Sequence, residues 1–275
     1  MARGRQDTGV FFFATLVLWF VSVVFEIVFN GRRELLAVVA GCCFFQIANW
    51  VIRFSLSRDP LFVNTSVSLL HSTITSVFVS LVLVNQWMTT GLPNMFDHSQ
   101  LFSGNWPGAY TALCFSCGYF AYDQLDMLHY HLYSGWIPSV LAHHLILLVC
   151  FTLALYRNVT VNYLVLTLVC ELHSIFLHVR KVRRMAGVRD AESKVVRIEW
   201  ILNWITFFFA RLGCHIFITY KLIIDAPKFG NGVELPLALF GMAGMNLLNV
   251  FLGQDLFKAY KREKNPNMYR VRKND

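Results

Sequence analysis

Apolar residues run along this chain in long unbroken blocks, not at alternate or third-to-fourth positions. Eight such stretches stand out, at roughly 10–29, 34–53, 62–85, 107–127, 138–156, 160–179, 197–221 and 235–258. At 1.5 Å per helical residue each is long enough to cross a hydrocarbon core of about 30 Å. All seven prolines (Pro60, Pro93, Pro107, Pro138, Pro227, Pro236 and Pro266) fall between these stretches or at their edges, where a missing N–H costs a helix least. The pattern predicts an all-α polytopic membrane protein. No internal repeat or long linker interrupts it, so the expectation is one membrane domain of six or more helices with one or two helices ahead of it.

Composition agrees. Of 275 residues, 56% are hydrophobic and 15% charged, against about 25% charged in an ordinary soluble domain. The first stretch is too long for a signal peptide and no small-residue cleavage site closes it, so it reads as a retained span. The seven cysteines lie inside apolar blocks, where Cys behaves as a small buried hydrophobe. Their odd number argues against a disulfide framework, and the CxxC of Cys114 and Cys117 has no second pair to make a metal site.

Charge sets the orientation. The chain carries 24 Lys and Arg against 16 Asp and Glu, concentrated in Arg180–Arg184 and in the tail from Lys258 to Lys273. Such clusters beside apolar spans suit anionic lipid headgroups and a cytosolic location, and no nucleic-acid role. With eight spans and a cytosolic amino terminus, both clusters fall inside, and the loop at 86–106, which has no Lys or Arg, falls outside. Arg32 and Arg33 oppose this scheme. The second stretch decides the side of the amino terminus, because without it the terminus changes sides while the later spans stay put.

Against that apolar background the ionisable residues are conspicuous, since each costs at least about 2.5–3.5 kcal/mol at the centre of a span and normally faces a bundle interior. Late positions in even spans and early ones in odd spans share a level. Asp123, Asp126, His143, His144, Glu171, His173, His178 and Asp255 are thus expected in the cytosolic half, with His71 somewhat deeper. Arg211 and His215 are expected in the other half, with Arg211 paired to a backbone carbonyl or snorkelling. Because His143 and His144 are about 100° apart on a helix, only one can point straight at the bundle centre. Helical phase gathers Asp123, one of the two histidines, Glu171 and Ser174 into a polar centre.

Three readings of these residues stand side by side. One is interhelical hydrogen bonding that pins the bundle. A second is acid–base or nucleophilic chemistry at a histidine beside a carboxylate. The third is a His/Glu metal site, but no HExxH-like spacing appears, so no residue is assigned as a metal ligand and no cofactor is expected. The sequons at Asn64 and Asn158 lie within or against spans and read as unglycosylated. Gly241 and Gly244 read as a point of close helix approach.

The ordered blocks NTSVSLLHS (64–72), GYFAYDQLDMLHY, HHLILLVCFTLALY and LVCELHSIFLHVRK resemble the TLC domain, the TRAM/Lag/CLN homology domain of ceramide synthases and their relatives. The match covers about residues 56–262. It implies a six-helix barrel round a lipid-accessible cavity, with residues 1–55 as accessory transmembrane helices and 263–275 as a basic cytosolic tail. In ceramide synthases the signature joins an HH pair to an Asn and a DxxD, and the histidines serve acyl transfer from acyl-CoA. Here His143 and His144 match the pair, Asn158 the Asn, and Glu171 with Ser174 stands where DxxD would be, so the second acidic residue is missing.

By this resemblance the catalytic candidates are His143, His144, Asp123 and Glu171, with His71, Asp126, Asn158, His173 and Ser174 lining the polar cavity. The pairing of GYFxxDxLDM with ELHSxxLHxRK is most similar to the animal TLC-domain proteins that regulate membrane phospholipid composition. The function it implies is a plasma-membrane regulator of fluidity that limits incorporation of long-chain polyunsaturated acyl chains into phospholipids. The endoplasmic reticulum is the other location, and a lipid acyltransferase using acyl-CoA on a different acceptor is the other function. Membrane phospholipids are the expected partners, with acyl-CoA or fatty acyl chains beside them.

Overall fold

The computed structural model describes residues 2–133, 139–190 and 192–264, with side chains from Asp7 onward. Pro138, Pro266 and most of the basic tail lie outside the described residues. Twelve α-helices follow in order: α1 (Ala2–Val28), α2 (Leu36–Ser55), α3 (Pro60–Thr90), α4 (Leu92–Met95), α5 (His98–Phe102), α6 (Ala109–His129), α7 (Ser139–Arg157), α8 (Val161–Thr167), α9 (Glu171–Met185), α10 (Lys194–Thr206), α11 (Cys214–Ile224) and α12 (Glu234–Lys264). A 3₁₀ turn joins α8 to α9, and a π-helical segment, Phe207–Gly213, joins α10 to α11, making two continuous rods.

Local chemistry sets several boundaries. Asp59 caps α3, accepting the Leu61 N–H at 3.2 Å, and Pro60 occupies the first turn where no intrahelical donor is lost. Ser193 caps α10 through Val196 N–H at 3.3 Å. Gly108, at φ +86°, turns the chain into α6 in a conformation that a side chain would oppose.

Among the described residues seven helical rods are long and apolar enough to cross a membrane. They match seven of the eight expected stretches, the second among them. The fourth, at 107–127, departs from the expectation: α6 has the length, but Tyr, Ser, Gln and Asp side chains make it too polar to count with the others. The reason is its position. Nearly every residue from Ala112 to Leu128 is buried, because α1, α2, α3, α7 and α8 surround the helix. A helix so largely enclosed by protein turns only a few residues, Leu125 among them, outward and is free to carry polar groups elsewhere. By contrast α1 and α2 turn Leu18, Val28 and Phe54 outward, as lipid contact requires.

The tightest approach is between α2 and α6. A Cβ built on Gly118 would overlap the Val38 carbonyl oxygen and stand 2.7 Å from the Cys42 nitrogen, and one on Gly41 would stand 3.0 Å from the Phe115 carbonyl oxygen. Gly241 and Gly244 play a similar part where α12 meets Cys150 and Ile146 of α7. Helix α1 is held by side chains: Trp19 Nε1 donates to Thr152 Oγ1 at 2.6 Å, and Gln124 Nε2 donates to the Phe12 carbonyl at 3.2 Å.

Arg32, which opposed the charge scheme, has a local use. Its guanidinium donates to the Tyr156 and Leu155 carbonyls at 2.7 and 2.9 Å, capping the carboxyl end of α7 where the helix dipole favours a cation. At the same end of the bundle, buried Asp225 accepts from Lys221 and Lys228, each at 2.8 Å. Burial opposes its ionisation, but those hydrogen bonds outweigh burial and hold the carboxyl below its ordinary value.

Two measurements follow from this packing. Gly118→Ala gains up to about 1 kcal/mol of helix propensity but meets unyielding backbone, at an overpacking cost of about 1–3 kcal/mol. Its melting temperature in detergent should fall, while Gly230→Ala, with nothing within 4 Å, should leave it unchanged. A depressed carboxyl contributes stability above its unfolded pKa of about 3.9 and loses it as pH falls through the lower folded value. Between about pH 5 and pH 3 the wild type should therefore lose more stability than Asp225→Asn.

Candidate functional site

A cavity of about 440 Å³ opens among α3, α6, α7, α9, α12 and the π segment, within the usual size range of small-molecule sites. Its lining runs from Leu61 to Leu256, with nothing from α1 or α2 among the described side chains. Leu61, Phe120, Met127, Leu177, Leu248 and Leu252 form apolar walls. Asp123, His144, Glu171, Ser174 and Arg211 supply a charged interior, and His178, Arg180, Lys181 and Asp255 lie toward the basic helix ends.

The carboxylates are held by amides and hydroxyls. Asn64 Nδ2 donates to Asp123 Oδ1 at 2.7 Å and to Asp126 Oδ2 at 3.0 Å, so one amide spends both hydrogens on two carboxylates. Asn49 donates to Asp126 Oδ1 at 3.1 Å and to the Tyr122 hydroxyl at 2.6 Å. Asp126 is buried one layer behind the lining, and Asp123 faces the cavity with its Oδ2 3.5 Å from His144 Nε2. Glu171 accepts from Ser72 Oγ at 2.6 Å.

The two adjacent histidines part as helical phase requires. His144 is buried against Asp123 and the Phe120 ring, and its Nδ1 has no hydrogen-bond partner among the described residues. His143 is half-buried, lines the same cavity, and sets Nδ1 3.2 Å from Met245 Sδ. His71 is fully buried behind the cavity, stacked on Tyr119 with ring centroids 3.8 Å apart, and its Nε2 lies 3.2 Å from Ser116 Oγ.

Arg211 is not where helical depth puts it. Its Nη2 donates to Ser174 Oγ at 2.7 Å and its Nε to His173 Nδ1 at 3.0 Å, with Nη1 3.4 Å from Asn249 Oδ1. The guanidinium is thus part of the cavity. The rod that carries Arg211 runs from Lys194 to Ile224, so Arg211 stands near its middle, as His173 and Ser174 do in the rod Val161–Met185. An arginine can only donate, so His173 accepts at Nδ1 and is the neutral, Nε2-protonated form. His215 stays outside the cavity, its Nδ1 against the Arg211 carbonyl at 2.8 Å.

Asn158 is not in the polar cavity. It is exposed at φ +52°, just beyond the end of α7, a left-handed position that Asn tolerates well. Fourteen residues of helix separate it from His144, about 21 Å. The buried asparagine of that region is Asn162, which donates to the Gln100 and Gly104 carbonyls at 2.6 and 2.8 Å.

Asn64 and Asn49 are the residues that sequence reasoning passed over. Asn64 enters the sequence reading only as a sequon that reads as unglycosylated, although an amide in a span facing the Asp123–Asp126 turn was the available signal. Among the described residues no three His, Cys, Asp or Glu side chains converge as metal ligands. Cys117 lies 3.8 Å from Thr152 Oγ1 in the packed core.

Fold and site together define a polytopic helical membrane protein with a charged cavity sunk into its bundle. The TLC domain model matches residues 61–258, and the chain belongs to the TLC-domain family. It is 28% identical over 200 residues to TLC domain-containing protein 2 of Danio rerio, covering 71% of this chain and 75% of that one. It is 26% identical over 158 residues to TLC domain-containing protein 1 of Homo sapiens, covering 57% of this chain and 59% of the other. With TLC domain-containing protein 2 of Mus musculus the identity is 33% over 156 residues, 52% of this chain and 46% of that one. No solved structure matches the chain.

Removing the shared amide exposes how the site is held. Asn64→Ala leaves two buried carboxylates each short of a donor, at about 1–3 kcal/mol apiece. Its melting temperature should drop well below that of Ser66→Ala, which loses only a bond to the Phe62 carbonyl.

Proposed function

We propose that this protein holds an acyl-bearing lipid in the cavity and thereby controls the acyl composition of membrane phospholipids, limiting the incorporation of long-chain polyunsaturated chains. The observation that carries the reading is the cavity itself: apolar walls and a charged interior inside one bundle, opening toward the basic ends of α9, α10 and α12. Those ends carry Lys181, Arg184, Lys194, Arg197, Lys258 and Lys261, which by the positive-inside rule face the cytosol, so the ligand comes from the cytosolic leaflet or the cytosol. Membership of the TLC-domain family supports a lipid ligand. In this reading residues 56–262 form the ligand-holding unit, α1 and α2 brace it, and the plasma membrane is its place of work.

The contact of His144 with Asp123 favours a second reading, acyl transfer. Asp123 against Nε2 orients the imidazole; in this reading the ring attacks the thioester carbonyl of acyl-CoA as the C–S bond breaks, CoA leaves as the thiol with the ring's proton, and the acyl group then passes to an acceptor hydroxyl whose proton returns to the ring.

Cells lacking the protein should take up more polyunsaturated acyl chain into phospholipid under fatty-acid load and show lower membrane order; unchanged profiles overturn the regulatory reading. Intact mass of the purified protein after incubation with acyl-CoA separates the two readings. An acyl adduct lost in His144→Ala, with folding retained, means transfer. Non-covalently bound lipid in both proteins means regulation by binding.

A further inference from the structure

Beside the main cavity lies a second one of about 340 Å³, between the carboxyl-terminal parts of α9 and α12 and the loop that follows α9. Arg180, Arg184, Arg189 and Arg262 line it against a single carboxylate, Glu263. That carboxylate is already engaged: Arg189 donates to Glu263 Oε1 from Nε at 2.7 Å and to Oε2 from Nη2 at 3.0 Å. Arg189 also reaches Glu199, which accepts from Arg183 at 2.9 Å. The acids of this corner are thus spent on Arg189 and Arg183, and among the described residues no carboxylate pairs with Arg180, Arg184 or Arg262.

Arg180 is the informative member. It is 8% exposed, lies over the Trp200 ring at 4.9 Å, and its Nε has no hydrogen-bond partner among the described residues. A buried guanidinium donor without an acceptor is costly, and the Arg189 guanidinium stands 5.8 Å from the same ring, so like charges converge there. An anion with several acceptor oxygens would satisfy both conditions. Arg180 also lines the main cavity, and is therefore the wall common to the two spaces.

We infer that Arg180, Arg184 and Arg262 form a phosphate-binding site at the mouth of the main cavity, which holds the phosphate of an amphipathic ligand while its acyl chain lies in that cavity. The inference rests on the proposal that the cavity takes an acyl-bearing ligand, and it adds the recognition of the head. Two sources supply this chemistry, an anionic phospholipid headgroup and the phosphates of a soluble acyl thioester.

The test uses full-length protein in phosphatidylcholine nanodiscs, with palmitoyl-CoA and palmitate as probes, and parallel discs doped with phosphatidic acid for bound-lipid counting by native mass spectrometry. Arg184 is exposed, so Arg184→Gln is expected to fold. It should weaken palmitoyl-CoA or phosphatidic acid binding about tenfold or more, as loss of a charge-assisted contact does, and leave palmitate binding unchanged. Arg180→Gln, checked by its melting temperature, should weaken it further. Arg197→Gln removes an exposed charge at the same end of the bundle without touching the pocket and should have little effect.

Loss confined to palmitoyl-CoA identifies the soluble source, and loss confined to phosphatidic acid identifies the headgroup. Equal losses in Arg184→Gln and Arg197→Gln, or none in either, overturn the site. If palmitate also fails to bind the wild type, the acyl-holding proposal fails while the arginine result stands on its own.

Discussion

A pair of buried aspartates one helical turn apart is the constraint around which this molecule is organised. Burying two like-charged carboxylates is tolerable only when fixed donors surround them. Here Asn64 from α3 gives both its amide hydrogens to the pair, and Asn49 from α2 adds a third. Those three bonds tie α2, α3 and α6 together at one height. They leave Asp123 facing inward beside His144 and put Asp126 behind it, so the same arrangement that satisfies the charges makes one of them available to a ligand.

Enclosure makes this possible. Helix α6 is polar because it is sheathed in other helices, and its sheath includes α2, which contributes nothing to the cavity lining. The backbone contact at Gly41 and Gly118 brings α2 close enough for the Asn49 amide to reach both Tyr122 and Asp126. The accessory helices thus act on the cavity through the far face of α6.

Much of this was legible in the amino-acid order. Long apolar blocks and excluded prolines mark the rods, and helical phase gathers Asp123, one of the two adjacent histidines, Glu171 and Ser174; both histidines line one cavity with the other three. What escaped did so for physical reasons. Counting hydrophobic residues treats every span as lipid-facing, which α6 is not. Depth arithmetic put Arg211 in the far half, whereas it stands near the middle of the rod Lys194–Ile224. Motif matching carried Asn158 into the cavity, although it lies past the end of its helix. Asn64 escaped because the partners of its amide are 59 and 62 residues away.

The π segment between α10 and α11 has a consequence of its own. Such a widened turn is what a one-residue insertion leaves in an α-helix, and each residue of register is worth about 100° of rotation. Shortening Phe207–Gly213 by one residue would restore a regular helix and swing Arg211 away from Ser174 and His173 toward a neighbour or the lipid. The charge of the cavity floor is therefore set by a count of residues along one rod, and a relative lacking that extra residue would keep the fold while presenting its ligand with a differently charged interior.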